Sequence, residues 1–178
     1  MFRKSPFNVS LALASVIFAG PSFAASTPAN IAVSATVATT CSITATPLAF
    51  GDYDPIGVNA TADKTGTASV TVSCAKGAST LTIGMSYGAH VSGTTQRQMV
   101  GPTATDLLSY NLFQPSSSAA GAACPGTIPW TTTTPGLLVL TAAPSKAART
   151  YNVCGTIPMG QDAAAGAYTD TVIATLNF

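Results

Sequence analysis

The chain contains no glutamate, a single histidine and a single tryptophan, and only 7% of its 178 residues are charged. Ordinary soluble domains carry about 25% charged residues, so most electrostatic functions are excluded at the outset. The six acids are all aspartates: Asp52, Asp54, Asp63, Asp106, Asp162 and Asp170. Without Glu and with few Lys, a charge-laced helical bundle or coiled coil is disfavoured, and so is a basic nucleic-acid face. The formal charge of +1 supplies no field to steer phosphates or anionic lipids, and no nucleic-acid partner is expected. Neither CxxC nor HxxxH spacing occurs, so no metal site is read, and the absence of G-x-S-x-G, G-x-G-x-x-G and P-loop patterns leaves nucleophilic and nucleotide chemistry without support. Long hydrophobic runs are also missing. The one apolar run, residues 9–19, falls well short of the roughly 20 residues that span a bilayer as a helix.

That run has the context of a secretory signal peptide. Arg3 and Lys4 precede it, Gly20 and Pro21 break it, and Ser22-Phe23-Ala24 places small residues at the −3 and −1 positions of a cleavage site. Residues 1–24 are therefore expected to be removed on export. All four cysteines, Cys41, Cys74, Cys124 and Cys154, lie beyond the expected cleavage point, and an even number in an exported chain points to disulfides. Spacing alone leaves three pairings open.

What the chain does contain is strand-like sequence. Thr, Ser and Val alternate with small apolar residues over 31–38, 67–74, 80–87, 137–142 and 168–178, separated by Gly, Pro, Asn and Asp clusters. This predicts an all-β sandwich of about one domain. In 68–74, Ala68, Val70, Val72 and Cys74 share one face while Ser69, Thr71 and Ser73 share the other, so the sheet has one dry side. The alanine-rich stretches 119–123 and 163–167 are flanked by Gly, Pro and Ser and are read as loops.

The two ends carry the functional signal. Ile31, Val33, Ala35 and Val37 alternate with Ala32, Ser34, Thr36 and Ala38; Val172, Ala174, Leu176 and Phe178 alternate with Thr171, Ile173, Thr175 and Asn177. The second pattern holds neither Lys nor Pro, the residues that normally blunt an exposed apolar edge. The economical expectation is that a strand from another molecule covers it, by β-strand addition, and that residues 31–37 have the chemistry to be that strand.

Five motifs in order then resemble one family: Leu48-Ala49-Phe50-Gly51-Asp52-Tyr53-Asp54-Pro55, Ser69-Val70-Thr71-Val72-Ser73-Cys74, Leu108-Ser109-Tyr110-Asn111-Leu112-Phe113, Gly155-Thr156-Ile157-Pro158-Met159-Gly160-Gln161 and Gly166-Ala167-Tyr168-Thr169-Asp170-Thr171-Val172. Together they closely resemble the spore coat protein U domain family, made up largely of subunits of the archaic, Csu-type chaperone-usher pili of Gram-negative bacteria. The resemblance implies an incomplete immunoglobulin-like β-sandwich completed by a donor strand from a neighbouring subunit. It also implies export through the periplasm to the cell surface, with a periplasmic chaperone, an outer-membrane usher and identical or related pilin subunits as partners. On that basis residues 25–40 are the donor-strand segment, with Ile31, Val33, Ala35 and Val37 as its plugs, and residues 41–178 are the pilin domain, with Val172, Ala174, Leu176 and Phe178 as one wall of the acceptor groove. Cys41 and Cys74 match the family's recurrent pair. Cys154 and Cys124 depart from its pattern, the latter within an insert-like stretch over 115–130, and a bridge between them is expected.

The remaining candidates receive plainer readings. Asp52 and Asp54, beside Gly51 and Pro55, suit a turn that caps its own backbone better than paired acid-base carboxylates. His90 has no Cys or Asp within ten residues and reads as an exposed loop residue; Trp130 reads as buried structure. An outer-membrane barrel is disfavoured by the cysteines and the broken segments. The expected role is structural, a non-enzymatic pilin without cofactor that serves adhesion and biofilm formation. A monomeric secreted binding module is the alternative.

Overall fold

A computed structural model describes Gly20 and residues 23–178, so the expected signal peptide lies almost wholly outside the described residues. The chain separates into two units, Met1–Thr36 and Val37–Phe178. In the first, the described residues form no strand or helix and are exposed. Residues 31–38, expected as a strand, form none, because a strand exists only where a neighbour takes up its N–H and C=O groups.

The second unit is an all-β, immunoglobulin-like sandwich. One sheet has six antiparallel strands, β1 (Cys41–Ala45), β2 (Lys64–Cys74), β8 (Arg149–Ile157), β6 (Leu107–Phe113), β5 (Gln96–Val100) and β4 (Val91–Ser92), in that spatial order. The other has three, β7 (Leu138–Val139), β3 (Thr82–Met85) and β9 (Ala174–Asn177), with β3 in the middle. The only helical element among the described residues is a single 3-10 turn, Val58–Ala60.

β2 forms as its alternation predicts. Ala68, Val70, Val72 and Cys74 are buried, while Ser69, Thr71 and Ser73 point outward. The other segments are shorter than expected, and three strands in the middle of the sheet, β5, β6 and β8, were not among the expected five. β8 was obscured by Asn152 and Gly155, which normally weaken a strand. Yet β8 pairs with β2 over nine positions, from Lys64 opposite Ile157 to Val72 opposite Arg149, and with β6 through Leu112 opposite Gly155.

Gly155 is there for space. It lies beside Gly66 in the ladder, and a Cβ on Gly155 would come within 2.7 Å of both Leu48 and Phe50. Two adjacent glycines thus make a depression that receives Leu48 and Phe50, and Phe50 meets Tyr110 edge-on at 6.2 Å. This explains why the Leu48-Phe50 and Gly155 motifs occur together.

Between the sheets, Trp130 is fully buried and its indole N–H donates to the Ile83 carbonyl at 2.8 Å. Arg97, only 3% exposed, reaches from β5 to the opposite layer and donates to the carbonyls of Met85 (3.2 Å), Ser86 (2.8 Å) and Trp130 (2.6 Å). A buried guanidinium is tolerated only when its donors are satisfied in this way.

Two disulfides fasten the unit. Cys41 is bonded to Cys74, the two residues facing each other directly across β1 and β2. Cys124 is bonded to Cys154 and ties the 115–130 stretch onto β8. Replacing Cys41 and Cys74 together with serine is expected to lower the unfolding free energy by about 2–5 kcal/mol, measurable by urea titration. Non-reducing peptide mapping should recover only these two pairings.

Candidate functional site

The site is a gap between two strand edges. β1 ends one sheet and β9 ends the other; they lie close together, yet no hydrogen-bonded ladder joins them. β1 is bonded only to β2, and β9 only to β3, in a register from Thr82 opposite Asn177 to Met85 opposite Ala174. Each therefore has one side of its backbone unmatched by any strand among the described residues.

An open cavity of about 400 Å³ occupies this gap. Its floor is the buried core: Ala68, Val70, Met85, Leu112 and Val153. One rim follows β1 into Pro47, Leu48 and Phe50, and the other is the run from Tyr168 to Val172 and on to Ala174. The chemistry is apolar below with backbone groups along the edges, which suits an extended peptide that alternates apolar side chains on one face. Among the described residues no group of three or more His, Cys, Asp or Glu could hold a metal.

The acceptor residues named from sequence are placed as follows. Val172 and Ala174 line the cavity. Leu176 is half-buried against the core and pairs with Ile83, outside the cavity lining. Phe178 lies past the end of β9 and is 58% exposed. Of the residues named as plugs, Ile31, Val33 and Val37 are 86%, 90% and 87% exposed, and Ala35 is exposed as well.

The far rim carries a polar cluster that sequence spacing does not disclose. The Asp170 carboxylate accepts hydrogen bonds from the Tyr110 hydroxyl at 2.6 Å and the Ala89 N–H at 2.9 Å, and lies 3.5 Å from His90 Nδ1. His90 is exposed as expected, but the acid absent from its sequence neighbourhood is supplied from the other end of the chain. Burial, followed by the hydrogen bond to Asp170 and the nearby carboxylate charge, raises the Tyr110 phenol far above its ordinary range; Arg97 opposes this.

Asp54 is the expected turn residue, with Oδ1 accepting from the N–H groups of Ile56 (3.2 Å) and Gly57 (2.8 Å). Tyr53 is more than punctuation: its hydroxyl donates to the Pro158 carbonyl and accepts from the Gln161 N–H, both at 3.0 Å, locking the first motif onto the fourth.

Residues 27–175 match the spore coat protein U domain. The chain belongs to the spore coat protein U domain family. It is 35% identical over 179 residues to Protein U of Myxococcus xanthus, a match covering 94% of this chain and 93% of that protein. In fold it is similar to a chain in the crystal structure of a chaperone–tip adhesion subunit pre-assembly complex from the archaic chaperone-usher Csu pili of Acinetobacter baumannii, with a TM-score of 0.50 and 22% identity. That likeness covers 80% of this chain but only 40% of the other, so this chain spans less than half of its length.

The raised Tyr110 phenol gives a pH prediction for this member of the spore coat protein U domain family. In the unfolded chain the phenol releases its proton near pH 10, whereas the folded protein retains it. Stability contributed by this group is complete below that range and declines above it, by about 1.4 kcal/mol per pH unit. Urea midpoints taken between pH 9 and 11.5 should show this decline, with a shallower slope in Tyr110→Phe.

Proposed function

We propose that this protein is a structural subunit of a surface fibre, a chaperone-usher pilin that polymerises by donating its N-terminal segment to the groove of the next subunit. The observation that carries this reading is the apolar cavity between the unmatched edges of β1 and β9, in a chain whose residues 31–37 alternate apolar and small polar side chains and are exposed. The family membership and the fold of the Csu pilus chain support it.

The mechanism is strand exchange. In the periplasm a chaperone strand covers the groove, and at the outer-membrane usher the 25–40 segment of an incoming subunit replaces it. Ile31, Val33 and Val37, with Ala35 as a small plug, enter the apolar gap while their backbone extends the β1 and β9 edges. Fully burying side chains of this class stabilises by about 1.5–3 kcal/mol each relative to exposure, and the edge hydrogen bonds add to that. The fibre so formed serves adhesion and biofilm formation, without catalysis or a cofactor.

Two experiments test the reading. Val33→Asp should leave export and chaperone capture intact, since a carboxylate in a free segment stays solvated, but should abolish fibres, since the same carboxylate costs several kcal/mol in an apolar groove. Electron microscopy of cells expressing this variant alone is the check, and normal fibres would refute the donor assignment. Moving residues 29–39 behind Phe178 through a short flexible linker should give a soluble monomer that melts well above a form lacking both copies, because the strand is then supplied at high effective concentration. Equal stability and monodispersity of the two forms would favour a monomeric secreted binding module instead.

A further inference from the structure

We propose that Asp170 is a positioning residue for the groove, holding its far wall away from β1 so that an incoming strand finds the gap already open. This rests on the groove being the strand-binding site and names the device that keeps it ready.

The chain leading into β9 changes sheets as it passes the groove. At Thr169 it is bonded to β5, with N–H to carbonyl distances to and from Val100 of 3.0 and 2.9 Å. At Ile173 it has crossed to the other layer, where its carbonyl accepts from the Ser86 N–H and its N–H donates to Ser86 Oγ, both at 2.9 Å. Between these anchors, Thr169 to Val172 form the rim of the cavity.

Asp170 is what ties down the middle of that crossing. Its side chain is only 2% exposed, and it gathers Tyr110 of β6, the Ala89 N–H, the Thr171 N–H at 2.8 Å and His90 around one carboxylate. Gly88 is shaped to admit it: its φ is +89°, and a Cβ there would lie 2.0 Å from the Asp170 carboxylate. In a chain with so few charges, a buried carboxylate needs this many partners to persist.

The direction of pull gives the cluster its role. An apolar floor beside two free edges favours inward collapse of the rim, which would bury the floor without any partner strand. Every Asp170 partner other than its neighbour Thr171 lies on β6 or the 88–90 turn, and none on β1 or the 46–50 rim. The carboxylate therefore holds the rim away from β1. A strand entering a wall already in place avoids the cost of ordering it, and that saving appears as tighter binding.

The test uses the full chain and a fluorescent synthetic peptide of residues 27–40, with anisotropy read well below the melting temperature and melting curves recorded in parallel. Asp170→Ala should weaken peptide binding by about tenfold or more. Asp170→Asn, which still accepts from the Ala89 and Thr171 N–H groups, should recover part of the loss. Trp130→Phe, a core change outside the groove lining, should lower the melting temperature yet leave the affinity of the folded protein unchanged. Wild-type affinity in folded Asp170→Ala would overturn the proposal. Should that variant show no cooperative unfolding, Tyr110→Phe takes its place, with weaker binding expected and unchanged binding overturning the proposal. Wild-type protein that does not bind the peptide would remove the groove reading itself, and this proposal with it.

Discussion

Everything distinctive in this structure follows from the gap between the edge of β1 and the edge of β9. A sandwich whose sheets closed on each other there would need neither the rim nor the polar cluster beside it. Because the gap stays open, the fold must hold in place two strands that, among the described residues, are paired on one side only. On one side this is done covalently and by shape: Cys41 is bonded across the ladder to Cys74, and Leu48 and Phe50 sit in the depression that Gly66 and Gly155 leave in the sheet. On the other side it is done by polar contacts, at Thr169, Asp170 and Ile173.

The scarcity of charge takes on meaning in that setting. Outward positions of β2 carry hydroxyls that bond to those of its neighbours, as in Thr71 with Thr150 of β8 at 2.9 Å and Ser69 with Thr46, just past the end of β1, at 3.3 Å. Such pairs satisfy polar groups locally without long side chains reaching over a neighbouring surface. Two charges instead go inside, Arg97 bridging the layers and Asp170 holding the rim. Removing Arg97 would take its donors from the buried Met85 and Trp130 carbonyls, and removing Asp170 would take the acceptor from the half-buried Tyr110 hydroxyl, each a larger penalty than losing a surface ion pair.

How much of this was legible in the sequence depended on whether the signal was local. The all-β class, the dry face of β2, the turn at Asp54 and the buried Trp130 could be read from residues close together in the chain. β8 could not, since Asn152 and Gly155 look like strand breakers until Leu48 and Phe50 are seen packed over Gly155. The cavity floor was equally hidden, because Met85, Leu112 and Val153 come from three different strands. The same holds for Asp170, whose partners Ala89 and Tyr110 lie 81 and 60 residues away. Alternation in 172–178 gave the face that packs inward, but it did not distinguish residues lining the gap, Val172 and Ala174, from Leu176, which packs on Ile83.

The position of the first disulfide gains its force from the proposed fibre. In such a polymer the donor segment, held non-covalently in the neighbour's groove, carries load back into its own subunit and enters the sandwich at Cys41, the first residue of β1. β1 is five residues long and edge-placed, so by itself it offers only a short ladder, on one side, to carry load. Because Cys41 is bonded to Cys74, the load passes at that first residue into β2, which is eleven residues long and paired on both sides. From there it is shared along the nine-position ladder to β8. The bridge thus joins a short edge strand covalently to a long internal one, and its place at the boundary between the 25–40 segment and the domain is where a tension-bearing fibre would require it.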